Sequence, residues 1–108
     1  MSSPLAYDPD TPSYDLQKIK TLLKNWKTRI ITLDDQQAAV RLGYADEDEM
    51  VERACKLTES EFFKTMPSEK MVGLMQDVYY TFDGPIKIYL KVQIRRDGKG
   101  VIISFKPA

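Results

Sequence analysis

The chain contains no histidine and only one cysteine, Cys55. Without imidazole there is no Ser-His or Cys-His nucleophile pair, and the usual nitrogen ligands of zinc or non-haem iron are missing. A lone thiol cannot close an internal disulfide, build a thiolate zinc knuckle or hold an iron–sulfur cluster, and it suits a reducing compartment. No apolar run approaches the ~20 residues a membrane span needs. The opening MSSPLAYDPDTPSY lacks a basic-then-apolar secretory pattern. A cytoplasmic protein with no metal, no other cofactor and no membrane partner is therefore expected. Any acid–base chemistry falls to Lys, Tyr, Asp or Glu.

What remains is 108 residues, 43% hydrophobic and 30% charged, a length that fits one domain. Residues 1–12, with three prolines and two serines, are expected to form a poorly ordered arm ahead of a single domain over 13–108. Acidic and basic side chains balance at 16 each, but unevenly. Residues 62–108 hold 8 basic against 4 acidic, and from Gly84 onward 6 basic residues face Asp97 alone. A basic tail on a neutral protein can attract a polyanion, because potential follows the placement of charge rather than its sum. It can equally be a strand face kept soluble by lysines.

Hydrophobic spacing sets out the elements. Leu16, Ile19, Leu22, Leu23 and Trp26 recur at helical spacing from a start near Ser13 or Asp15. Arg29 to Thr32 reads as an extended link, and Thr32 as the cap of a helix over Asp34 to Leu42. Asp46 and Glu49 have capping-box spacing for a third helix through about Lys56, with Met50, Val51 and Ala54 buried. Past Thr58 the pattern turns to strands: Glu61 to Met66, Gln76 to Phe82, Ile86 to Ile94 and Val101 to Phe105. Asp83-Gly84 and Asp97-Gly98 read as turns. Helices followed by an antiparallel meander predict an α+β fold.

A two-residue turn at Asp97-Gly98 sets Leu90 opposite Phe105 and Val92 opposite Ile103, so the apolar faces coincide. On the other face Lys91 then meets Ser104 and Tyr89 meets Lys106. A phenol and an ammonium thus sit side by side among further lysines. Neighbouring ammonium groups disfavour one another's protonation, which pulls a lysine pKa toward useful values. Whether Gln76 shares this basic face depends on the turn after Phe82: a two-residue turn puts it there, a three-residue loop puts it with the apolar side chains.

Several segments together resemble a known family. They are Pro12-Ser13-Tyr14-Asp15-Leu16, the run Leu57 to Met66, Gln76-Asp77-Val78-Tyr79, Tyr89-Leu90-Lys91 and Ile103-Ser104-Phe105-Lys106. In order and spacing they are similar to the MqsR toxins of bacterial type II toxin–antitoxin systems, over about residues 12–107. The resemblance implies a RelE-like α+β fold and an endoribonuclease that cuts single-stranded mRNA without metal and so inhibits translation. It also implies a cognate antitoxin as protein partner. The catalytic set it carries onto this chain is Lys64, Gln76, Tyr89 and Lys106. Lys87, Lys91, Arg95 and Arg96 are the expected RNA-binding cations. Met75 stands where family members often have a tryptophan, and Met71-Val72-Gly73 replaces a more polar stretch. An alternative is therefore a catalytically weak module of the same fold that binds RNA or antitoxin.

Overall fold

The computed structural model describes residues 7–108; of the predicted arm, residues 1–6 lie outside this range. Three helices precede most of the sheet. Helix α1 (Leu16–Lys24) opens on Asp15, whose carboxylate accepts from the Gln17 backbone. Strand β1 (Arg29–Ile31) leads into α2 (Leu33–Arg41), capped by the Thr32 hydroxyl. Helix α3 (Glu47–Ala54) opens on Asp46, which takes the Glu49 amide. Acidic residues crowd its first turn, where the helix dipole favours them. The remaining strands are β2 (Phe62–Pro67), β3 (Met75–Asp83), β4 (Ile86–Ile94) and β5 (Gly100–Pro107).

The sheet runs β1-β5-β4-β3-β2. The expected α+β fold is present, and the sheet is mixed: the Arg29–Thr32 link supplies β1, paired parallel to β5 through Ile30↔Val101. The other pairings are antiparallel. One face carries the core. Tyr79, Ile88, Leu90, Val92, Ile102 and Phe105 pack under Leu16, Ile19 and Leu23 of α1 and Met50, Val51 and Ala54 of α3. Gly100 is required where α1 crosses: a Cβ there would stand 2.9 Å from the Leu22 Cβ. Trp26, counted above into the α1 stripe, is instead 72% exposed. The helix stops at Lys24 and Asn25 turns extended, so Trp26 leaves the helical phase.

The β4–β5 hairpin differs from the two-residue turn expected. The Arg95 amide donates to the Lys99 carbonyl and the Gly98 amide to that of Arg95. The loop is therefore Arg96-Asp97-Gly98, closed by Gly98 at φ +86°, the three-residue form with a left-handed glycine. One extra loop residue shifts the register, so Val92 pairs with Ile102 rather than Ile103. A bulge on β5 then inserts Ile103 and restores the expected pairs Lys91↔Ser104, Leu90↔Phe105 and Tyr89↔Lys106. The β3–β4 turn is two residues long but sits at Gly84-Pro85, because Asp83 pairs with Ile86.

The start of the described chain lies along β2, at the sheet edge. The Thr65 amide donates to the Pro9 carbonyl at 2.9 Å. The fully buried Asp77 accepts the amides of Ser13 and Tyr14, each at 3.0 Å.

Candidate active site on the open sheet face

The second face of the sheet carries no α1 or α3, and its side chains follow from register. With Asp83 opposite Ile86, Tyr80 pairs with Tyr89 and Val78 with Lys91. Gln76 has the parity of Val78 and Tyr80, so it lies on this face, which settles the alternative left open by the sequence. A bulge in β2 between Phe62 and Lys64 makes Phe63 the extra residue. Bulges re-aim side chains, and here Phe63 and Lys64, though consecutive, both serve the open face. Phe63 packs on Tyr80, and Lys64 pairs with Val78.

Two rows result. The first is Phe63, Tyr80, Tyr89 and Lys106, one from each of β2 to β5. Ring centroids are 5.0 Å apart for Phe63–Tyr80 and 5.6 Å for Tyr80–Tyr89, both edge-on. The Lys106 Nζ lies 5.1 Å from the Tyr89 ring. The second row is Lys64, Val78, Lys91 and Ser104. Val78 is fully buried although it belongs to this face; flanked by two lysine stems, it is the apolar floor of the site. Lys87 lies over the Tyr80 ring at 4.5 Å and Lys91 over Tyr89 at 5.8 Å. Quadrupole attraction of a cation to each ring helps hold these amines in place.

Electrostatics ties the amines together. Lys91 holds its proton less tightly than an ordinary lysine, first because it is partly buried and next because Lys106 and Lys64 are near. Glu69 and Asp35 pull the other way. Tyr89 is shifted upward, mainly by burial and then by Tyr80, so it stays a phenol and a donor at neutral pH.

Of the residues singled out from sequence, Lys64, Tyr89, Lys91 and Lys106 gather on this face, with Lys87 at its margin. Gln76 lies on the same face but is nearly buried, its amide donating to the Ser68 hydroxyl at 3.3 Å. Arg95 and Arg96 lie beyond the end of β4 and are engaged elsewhere. Arg95 pairs with Asp97 at 3.2 Å, and Arg96 donates to the Val72 carbonyl, tying the hairpin tip to the 68–74 loop. Three members were missed as site residues: Phe63, Tyr80 and Asp35. Tyr80 could have been found from the β3–β4 register, since it falls directly opposite Tyr89. Phe63 required the bulge. Asp35, in the first turn of α2, is linked to the site only by the packing of α2 on β5.

Fold and face together define a small α+β protein with an open sheet surface on which three amines, a phenol and an aromatic row converge. The sequence pattern of the family described as "Motility quorum-sensing regulator, toxin of MqsA" matches residues 11–107. The chain belongs to that family: it is a toxin of a toxin–antitoxin system, with an antitoxin as its partner. No curated protein matches it. No helix among the described residues is long and apolar enough to cross a membrane.

Proposed function

We propose that this toxin is a metal-independent endoribonuclease acting on single-stranded mRNA in the cytoplasm, and that it inhibits translation by doing so. The observation that carries the reading is the convergence of Lys64, Lys91 and Lys106 around Tyr89, close enough for two of the amines to loosen the proton of the third. Cleavage proceeds by attack of a ribose 2′-oxygen on the adjacent phosphorus. The 2′-hydroxyl loses its proton, the P–O5′ bond breaks, and the 5′-oxygen leaves with a proton. The products are a 2′,3′-cyclic phosphate and a 5′-hydroxyl.

The chain supplies each requirement. Lys91, whose proton is held less tightly than an ordinary lysine's, accepts the 2′-hydroxyl proton. Lys64 and Lys106 stabilise the charge that builds on the phosphoryl oxygens. Tyr89 donates to the phosphate or the leaving oxygen, and Gln76 positions the ribose or a base. Phe63, Tyr80 and the exposed Phe82 offer flat surfaces to unstacked bases, worth ~1–3 kcal/mol per stacked base. Lys87 follows the backbone.

The test is incubation of purified protein with a defined RNA in the presence of chelator, followed by end mapping. Cyclic-phosphate ends that vanish with Lys106→Ala support the enzyme. RNA that is bound and left intact overturns it in favour of a binding module of the same fold.

A further inference from the structure

Tyr79 alternates with Val78 and Tyr80 along β3, so its side chain points away from the amine cluster, into the helix-covered face. There it lines a recess of about 420 Å³, within the ~300–1,000 Å³ range of ligand sites. The recess forms where the segment before α1 and the 3₁₀ turn Glu59–Glu61 meet the edge strand β2. Tyr14, Phe62 and Tyr79 give it aromatic walls, and Asp10, Asp15 and Glu59 give it carboxylates. Among the described residues no lysine or arginine lines it.

Tyr79 is only 2% exposed, yet its hydroxyl has no hydrogen-bond partner among the described residues. None of their fully buried side-chain oxygens or nitrogens is left unpaired, so this hydroxyl must open on the recess. It holds its proton more tightly than an ordinary tyrosine, first through burial and then through Asp77, Glu59 and Asp15. The Phe62 ring meets the Tyr79 ring edge-on at 5.6 Å. Tyr14 is fixed by its hydroxyl, which donates to the Met75 carbonyl at 2.7 Å. Asp15 takes the Gln17 amide on one oxygen only, and the carboxylates of Asp10 and Glu59 have no partner among the described residues. The α1 N-terminus brings about half a positive charge to this corner, which three carboxylates outweigh. No three acidic side chains among the described residues converge closely enough to hold a metal ion. The site is therefore shaped for a larger, organic cation.

We propose that this recess receives the guanidinium of an arginine side chain carried by a partner polypeptide. Asp15, Glu59 and the Tyr79 hydroxyl accept its N–H donors, and the aromatic walls take its flat face. A guanidinium suits the place better than an ammonium for three reasons. It is planar and stacks on aromatic rings, it is more weakly hydrated, and its five donors match several separated acceptors. Its bonds to carboxylates are charge-assisted, roughly twice as strong as neutral ones. The recess lies across the sheet from Lys91 and Lys106, so the assignment stands apart from the nuclease reading.

The test titrates short capped peptides into the isotope-labelled full chain and follows its resonances. The probes are Gly-Arg-Gly, its lysine counterpart and its citrulline counterpart, which keeps the shape of arginine without the charge. The arginine peptide should shift Tyr14, Phe62 and Tyr79 and leave Tyr89 and Lys91 in place. The citrulline peptide should bind roughly ten-fold or more weakly, and the lysine peptide should fall between the two. Glu59→Gln should weaken the arginine peptide roughly two- to five-fold, the range of a partly exposed ion pair. Asp15→Asn should do the same, and because asparagine also caps a helix the thermal melt should stay cooperative. Tyr79→Phe, which keeps the ring, removes one acceptor and should weaken binding too. Glu52→Gln, an exposed carboxylate beside a different cavity, should bind as the parent does. Equal affinity for arginine and citrulline, shifts confined to other surfaces, or parental affinity in both Glu59→Gln and Asp15→Asn overturns the proposal. An equal loss in Glu52→Gln also overturns it, since overall charge would then be the cause. Spermidine binding more tightly than the arginine peptide, with the same shifts, transfers the recess to a free polyamine and overturns the polypeptide.

Discussion

Strand β4 has two sides that are built from one alternating sequence and do opposite work. Ile88, Leu90 and Val92 are fully buried against helices. Lys87, Tyr89 and Lys91, interleaved with them, meet side chains of the neighbouring strands on the face that α1 and α3 leave open. The buried side fixes where the strand lies, and the open side inherits that placement. Tyr89 meets Lys106 because Leu90 meets Phe105 one residue away. A site made this way needs few dedicated contacts, since its geometry is borrowed from the core.

The comparison breaks most visibly on the buried side. Phe105 is fully buried and packs edge-on to Tyr44 at 5.0 Å. Phe105→Ala should cost about 3–5 kcal/mol of stability, read as a large fall in the urea midpoint. Activity per folded molecule should fall with it, because the Tyr89–Lys106 pairing depends on the same strand register. On the open side the pattern reverses. Lys106→Ala should lower cleavage by about 10²–10³, the usual loss on removing one group that stabilises charge building in the transition state. The side chain is exposed, so the unfolding free energy stays within about 0.5 kcal/mol of the parent. A Lys106→Ala protein that unfolds early, or cuts at the parental rate, would collapse the division of labour between the faces.

A third expected effect falls at the edge, where the two sides meet. Asp77 is buried and holds the amides of Ser13 and Tyr14. Asp77→Ala leaves those part-buried amides without their acceptor, at about 0.5–1.5 kcal/mol for each hydrogen bond lost. Amide hydrogen exchange should accelerate at Ser13 and Tyr14 while Leu90 and Phe105 remain protected.

How much of this was legible in the sequence follows from the same division. The buried side was readable because alternation over Ile86–Ile94 and the helical spacing of Leu16, Ile19 and Leu23 each repeat. The Tyr89–Lys106 pair was also readable, although the route to it was incomplete. The hairpin loop holds one residue more than Asp97-Gly98 suggests, and the extra Ile103 in β5 compensates. The two departures cancel at Tyr89 but leave Val92 on Ile102. Bulges leave no period in a sequence, so Phe63 and Ile103 could not be assigned to the open face from spacing. Asp35 was hidden for another reason: its closeness to the lysines comes from how α2 packs over β5, a contact between segments far apart in the chain. Trp26 was misjudged because nothing in the hydrophobic stripe marks the extended Asn25 that ends the helix.

The finest comparison is within the open face, between Lys91 and the two amines beside it, Lys64 and Lys106. Lys91 has its pKa lowered by burial and by Lys106 and Lys64. The neutral fraction of a general base grows as pH rises, so cleavage should climb with pH up to the depressed Lys91 pKa. It should fall again only where donors such as Tyr89, shifted upward, lose their protons. Lys64→Gln removes one neighbouring positive charge, so the Lys91 pKa should rise and the climbing limb should move to higher pH. Burial, the larger cause, is left in place, so the displacement is a fraction of the total shift. Added salt should shrink the difference between parent and variant, since exposed charges are screened over ~8–10 Å. Lys91→Gln should abolish the limb altogether. A pH profile that keeps its rising limb in Lys91→Gln would move the general-base role to Lys64 or Lys106, and the two rows of the open face would have to exchange roles.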